Sequence, residues 1–324
     1  MREIINRISM GGLTAVYRRE GETGVVELVL VPTGCEGDIV RIDCAAEPLV
    51  QAKLETDDAP AFFSGGRTMR NGPTVRAIVF NGQTIQNSDD KTVVVTTLTD
   101  ARGLTYTHTL TLYADNPAAE VVTSVENTGS YAHTLEMLSS FTLGSLSPFS
   151  AGLAPETLKI HHLRSTWSAE GRLVTEAAED LQLEPSWKCY SANSVRFGSV
   201  GSFPVRGFVP FCAVEDTAHG VTWAAATTQG SSWQMELYRQ DFGLSLSGGV
   251  ADREFGAWCK TLAPGACFTA PKAVLTAVRG GVDTAAQVLA ENTRRAIEPL
   301  LPASEKTLPV LFNEFCSTWG KPTE

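Results

Sequence analysis

The chain has 324 residues, 43% of them hydrophobic, with 26 Lys plus Arg against 36 Asp plus Glu and a formal charge of −10. That content supplies a sizeable core, and the acidic balance excludes nucleic acid or an anionic membrane as partner, since either needs a basic patch. The sequence holds no apolar window of the ~18 residues that a spanning helix requires.

Met1 to Met10 has no uninterrupted apolar stretch and no small-residue cleavage site, so no secretory signal is expected. From residue 13 to about 285, short apolar runs alternate with turn residues. Val25 to Val31 reads as a strand ended by Pro32-Thr33-Gly34. Thr74 to Phe80 reads as another, closed by the hairpin signal Asn81-Gly82. Thr92 to Thr99 follows, then a turn at Asp100 to Gly103 and the clearest strand of the chain. There Leu104, Tyr106, His108, Leu110 and Leu112 share one face, and Thr105, Thr107, Thr109 and Thr111 the other. Val121 to Val125 completes an antiparallel meander.

His161 to Arg172 is polar and rich in turn residues, and is expected to end the first group of strands. Phe208–Val214, His219–Ala226, Ser232–Tyr238 and Phe242–Gly248 read as four more strands, and Pro264-Gly265 as a turn before a strand over Phe268–Val278. Turns about every ten residues predict a large sandwich. After Gly280-Gly281, Asp283 can cap a helix from Thr284 to about Glu298, with Val288, Leu289, Asn292 and Ala296 on one stripe and Pro299 at its stop. In the tail, Val310, Leu311, Phe312 and Phe315 behind Pro309 have the make-up of a strand buried on both faces, the kind that feeds a helix and a parallel neighbour. The expected division is a β-domain over 1–281, a linker helix and connection over 282–307, and the start of a larger α/β domain over 308–324.

The seven cysteines are odd in number, scattered, and form no C-x-x-C pair, which predicts reduced thiols, no zinc site and a cytoplasmic protein. No cofactor motif occurs: there is no P-loop, G-x-G-x-x-G, G-x-S-x-G or H-E-x-x-H. His161 and His162 are adjacent and would point to opposite faces of a strand, a poor start for a metal site. His108 shares its face with four large apolar side chains, as a core histidine would; the functional alternative is a sugar contact. Trp167, Trp187, Trp223, Trp233 and Trp258 are core pillars or, alternatively, stacking platforms for sugar rings. The segment from Thr56 to Arg70 combines Asp57, Asp58, Phe62, Phe63, Arg67 and Arg70 in a Gly/Pro-bearing loop. Polar groups beside aromatics suit a carbohydrate site, and a solvated loop would look similar. No pair of carboxylates is marked out for glycoside hydrolysis, so no catalytic residue is assigned in this chain.

Three stretches in series resemble the N-terminal part of the family 36 glycoside hydrolases, the α-galactosidase (melibiase) group. These are His162–Arg172, the run Leu262-Ala-Pro-Gly-Ala-Cys-Phe-Thr-Ala-Pro-Lys-Ala-Val-Leu-Thr276 before Gly280-Gly281, and Pro309–Trp319. The resemblance implies an all-β fold: a large antiparallel β-supersandwich, galactose mutarotase-like, followed by a C-terminal linker helix and the first strand of a truncated (β/α)8 barrel. It implies retaining hydrolysis of terminal α-galactosides by two aspartates on later barrel strands, outside this sequence. It also implies a homo-oligomer whose sandwich loops reach an adjacent barrel. Asn313 matches the family's first barrel strand, whereas Phe315 stands where a pocket Trp is expected; the loop over 57–70 is a looser version of the family's Gly-Asp-Phe-Arg-like loop. The chain is thus expected to be an accessory and oligomerisation domain. The alternatives are a stand-alone carbohydrate-binding module and a mutarotase-type sugar epimerase.

Overall fold

The computed structural model describes residues 2–40, 44–58, 61–62, 66–152, 154–184, 192–308, 310, 319 and 321. Strands dominate. In chain order they are β1 (Arg2–Met10), β2 (Leu13–Glu20), β3 (Val26–Pro32), β4 (Ala52–Leu54), β5 (Ala61–Phe62), β6 (Gly66–Arg67), β7 (Val79–Asn87), β8 (Lys91–Thr99), β9 (Leu104–Tyr113), β10 (Ala118–Asn127) and β11 (His133–Leu146). There follow β12 (Leu158–Thr166), β13 (Ala169–Ala177), β14 (Ala192–Ser199), β15 (Gly207–Asp216), β16 (Val221–Thr227), β17 (Trp233–Gln240), β18 (Gly243–Val250), β19 (Lys260–Leu262), β20 (Cys267–Thr269) and β21 (Ala273–Arg279). The α-helices are α1 (Pro73–Ala77), α2 (Arg253–Gly256) and α3 (Val282–Ile297).

A large sheet runs in the order β13-β12-β15-β16-β21-β10-β9-β8-β7, with β20 also on β10; a smaller one runs β14-β17-β18-β11-β19, with β4 also on β11. A third sheet, β1-β2-β3, closes one side, and β5 and β6 form a two-stranded ribbon. All paired strands described here are antiparallel. The fold is therefore the all-β sandwich that the spacing of turns predicts.

One apolar core joins the three main sheets. It holds Leu28 and Leu30 from β3, Leu110 and Leu112 from β9, Trp223 from β16 and Leu237 from β17. Trp223 and Trp233 are core pillars, each donating its indole N–H to a backbone carbonyl, that of Leu30 at 2.7 Å and that of Pro204 at 2.5 Å. Trp167 is fully outside, at the β12–β13 turn, and Trp187 lies outside the described residues. The outer face of the large sheet packs on α3 through Ala213, Ala224, Val278, Ala285 and Leu289. Among the described residues, no helix is long and apolar enough to cross a membrane.

Several expectations need correcting. The stretch 74–77 is helical because Pro73 sits at the first helical positions, where its fixed φ and missing N–H suit a helix start. Asn81-Gly82 makes no hairpin turn: β7 runs through it, with a bulge between Phe80 and Gly82, and the chain reverses at Ser88–Asp90 instead. The polar segment 161–172 is a hairpin of β12 and β13, turning at Ser168 with φ of 63°. Its polarity comes from β13 being the outer edge of the large sheet. The strand expected over 268–278 is broken into β20 and β21, with Pro271, which cannot donate to a ladder, in the gap. Gly281, not Asp283, stands at the N-cap of α3, and Ala296 is exposed rather than on the buried stripe of Ala285, Leu289 and Asn292.

Candidate functional site

The small sheet places its apolar side chains inward and a polar set outward. On β17, Met235 and Leu237 enter the core while Glu236 and Tyr238 face away; on β18, Leu244 and Leu246 enter it while Ser245 and Ser247 face away. That outer face is not left to solvent. Glu236, Tyr238 and Ser245 are buried, and residues around Glu47, Gln51, Thr68 and Arg70 lie over them.

Two ion-pair clusters hold this layer. In the first, Glu27 of β3 is fully buried; its Oε2 accepts from Arg18 Nη2 at 2.6 Å and Arg2 Nη1 at 3.1 Å, and its Oε1 accepts from Ser145 Oγ at 2.7 Å. A Cβ on Gly144 would lie 2.5 Å from Glu27 Oε1, so the residue beside Ser145 can carry no side chain without displacing that carboxylate. In the second, Arg70 donates through Nη2 to Glu47 Oε1 at 2.6 Å and to Ser245 Oγ at 2.9 Å, and through Nη1 to the Glu236 carbonyl at 3.1 Å. Its guanidinium lies 4.7 Å from the centre of the Tyr238 ring. Gln51 ties Glu47 Oε1 at 2.8 Å to Asn71 Oδ1 at 2.7 Å. Burial pushes the Tyr238 phenol up to about 12, so it stays protonated.

Beside these clusters opens a cavity of about 380 Å³, between the ends of β2 and β3, the segment 44–48, α1 and the β17–β18 hairpin. Val25, Pro48 and Val75 give it apolar walls, and Glu20, Glu47, Asn71, Arg76 and Gln240 bring polar groups to it. Burial raises the Cys44 thiol above its ordinary range, so the cysteine on its wall is no thiolate nucleophile.

The loop that the sequence singles out is anchored at both ends. Asp57 Oδ2 accepts from the backbone N–H of Leu54 and of Thr74, each at 3.2 Å, and from the Thr74 hydroxyl; Oδ1 accepts from Arg102 Nη1 at 3.2 Å. Arg70 is the buried partner of Glu47. Both side chains are engaged within the chain, and what the structure shows for them is anchoring. Asp58 is exposed. The backbone of Phe62 and Arg67 lies in the β5–β6 ribbon; Phe63, Asn313 and Phe315 lie outside the described residues. Glu27, Glu47, Ser145 and Ser245 were not singled out by the sequence; a lone carboxylate inside the apolar run of β3 is the signal that points to the first of them.

The other histidine candidates are structural. His108 is fully buried, and burial lowers its pKa to about 4, so it is neutral. His161 bonds Glu215 at 2.9 Å and Thr175 at 2.9 Å, and His162 bonds Glu176 at 2.8 Å and packs on Phe197. Among the described residues, no group of His, Cys, Asp or Glu is arranged to hold a metal ion.

No protein-family model matches this chain, and no curated protein matches it in sequence. Solved structures match it in fold. The family 36 α-galactosidase AgaA of Geobacillus stearothermophilus, solved with stachyose, superposes with a TM-score of 0.65 at 14% identity, covering 91% of this chain and 43% of that one. The α-galactosidase of Lactobacillus brevis gives 0.63 at 13% identity, covering 88% and 41%. AgaB of Geobacillus stearothermophilus gives 0.62 at 13% identity, covering 87% and 41%. The chain thus has the fold of a part of the family 36 α-galactosidases and spans about two fifths of their length.

Proposed function

We propose that this chain is the accessory and oligomerisation domain of a retaining, α-galactosidase-like glycoside hydrolase acting on terminal α-galactosides. In this reading residues 1–281 are the sandwich, 282–307 the connection, and 308–324 the first strand of the catalytic barrel, whose two carboxylates lie beyond the 324 residues. The observation that carries the reading is the asymmetry of coverage: about nine tenths of this chain superposes on about two fifths of an α-galactosidase. A second observation supports it. Leu300, Leu308 and Val310, in the segment after α3, are 80%, 84% and 99% exposed, apolar side chains suited to being covered by a further domain. Asp58 and the loop that follows, held between the Asp57 and Arg70 anchors, are the part proposed to reach a neighbouring subunit's sugar pocket.

The test is the source gene. The codons after Glu324 are expected to encode a barrel, and the longer product is expected to hydrolyse 4-nitrophenyl α-galactoside while the 324-residue chain does not. A stop codon directly after Glu324, or a longer product that cleaves no α-galactoside, refutes the proposal.

A further inference from the structure

The cavity beside the Glu47–Arg70 pair has no part in the hydrolase reading, and its chemistry narrows what it can hold. The charges behind it are already neutralised: Glu27 by Arg2 and Arg18, Glu47 by Arg70. A cationic guest would therefore find the field of Glu27 and Glu47 largely cancelled, and would meet Arg76 at the rim opposite Glu20. An anion would meet Glu20 on the wall. A wholly apolar guest would strip water from those carboxylates, Asn71 and Gln240 and return no hydrogen bonds. What remains is a neutral molecule with hydroxyl groups at its edge and carbon at its face.

The available groups fit that description. Glu47 takes both its bonds, from Arg70 and Gln51, on Oε1, which leaves Oε2 as an acceptor for a guest hydroxyl. Arg76, exposed on α1, supplies donors at the rim. Val25 and Pro48, both half-buried on the cavity wall, offer an apolar surface to the C–H face of a ring. The volume of about 380 Å³ suits one or two six-membered rings with some water. The polar groups are also held in place before any guest arrives, since Asn71 and Glu47 are cross-tied through Gln51.

We infer that this cavity is a binding site for a neutral pyranose sugar, built within the sandwich itself and independent of any catalytic barrel. Ring hydroxyls bond to Glu47 Oε2 and Arg76, and the ring's C–H face lies on Val25 and Pro48.

The experiment is titration of the 324-residue chain by calorimetry and saturation-transfer NMR. The probes are D-galactose and D-glucose, with putrescine and inorganic phosphate as charged comparators. A monosaccharide of this size is expected to bind at roughly millimolar strength. Ala45 is exposed and on the cavity wall, so Ala45→Trp fills the space without entering the core. It is expected to weaken sugar binding about ten-fold or more. Arg76→Glu, a surface change, is expected to weaken it about five-fold, and supplies the answer if the tryptophan variant does not fold. Three results each overturn the inference: no response to either sugar at about fifty times the millimolar range expected, tighter binding of putrescine or phosphate than of both sugars, or sugar binding unaffected in the folded variants. Because no catalysis is read, this outcome is separate from the fate of the hydrolase proposal.

Discussion

His108→Leu is expected to stabilise the protein, and increasingly so as pH falls. The histidine is fully buried in the middle of β9, between Tyr106 and Leu110 on its own face and opposite buried Thr96 and Thr123 on the flanking strands. Neither ring nitrogen has a hydrogen-bond partner. A neutral imidazole carries one donor and one acceptor, and leaving such groups unmade costs about 1–3 kcal/mol, a cost that leucine of similar volume removes. The second contribution is linkage. Burial lowers the folded pKa from 6.5 to about 4, so between those values the unfolded chain holds a proton that the folded chain does not. Stability contributed by the neutral form is present above pH 6.5 and is lost as pH falls towards 4. At pH ~5 this amounts to about 2 kcal/mol, a penalty leucine does not carry. Urea unfolding followed by tryptophan fluorescence, for both proteins at neutral and acidic pH, measures the gap. The expected gap is about 1–3 kcal/mol in favour of leucine near neutrality, widening by about 2 kcal/mol near pH 5. A gap that stays constant across that range would show that His108 takes up its proton in the folded state, and would refute the reasoning.

Arg70→Met leaves Glu47 buried without its cation and is expected to cost about 3–5 kcal/mol by chemical denaturation, with Glu47→Gln added to it recovering much of the loss. Asp57→Ala frees the Leu54 and Thr74 amides of their acceptor and is expected to lower stability by about 1–3 kcal/mol, whereas Asp58→Ala should stay within about 0.5 kcal/mol in thermal melts. Gly103→Ala would place a Cβ 2.6 Å from Gly129 Cα at a φ of +87°, while Gly34→Ala, at a φ of +91°, meets nothing; calorimetry should show a clearly larger loss for the first.

What the sequence made legible was the part governed by period. The alternation over Leu104–Leu112 translates residue for residue into buried and half-buried positions of β9, because a central strand between two neighbours has no other way to separate its faces. The four strands from 208 to 248 were legible instead as short apolar and aromatic runs between turn residues. Local turn chemistry was a weaker guide. Asn81-Gly82 has the composition of a tight turn, yet pairing with the whole of β8 carries the strand through it, and the glycine serves a bulge instead. The hairpin at 161–172 was hidden because an edge strand needs only one partner and tolerates polar residues on both faces.

The candidate site was hidden for a different reason. On β17 and β18, the alternation of Glu236, Tyr238, Ser245 and Ser247 with apolar neighbours reads as a sheet with one face in water, and period-2 reasoning stops there. In the fold a covering segment lies over that face, and its charges meet the polar side chains rather than excluding them. A covering layer held by apolar contacts could slide with little loss, because such contacts are non-directional. One held by Arg70 on Ser245 and the Glu236 carbonyl, and by Thr68 on the Glu236 carboxylate, cannot shift by a residue without leaving buried polar groups unpaired. The first cluster fixes the other boundary of the layer by the same means, with Arg2 bonded both to Glu27 and to the Cys44 carbonyl at 2.7 Å. Those directional anchors hold the segment at its ends while the cavity stays open beside it. The side chains that looked most like ligand contacts in the sequence, Asp57 and Arg70, are thus the ones the fold uses to position the layer, and the contact groups they leave accessible are Glu47 and Arg76.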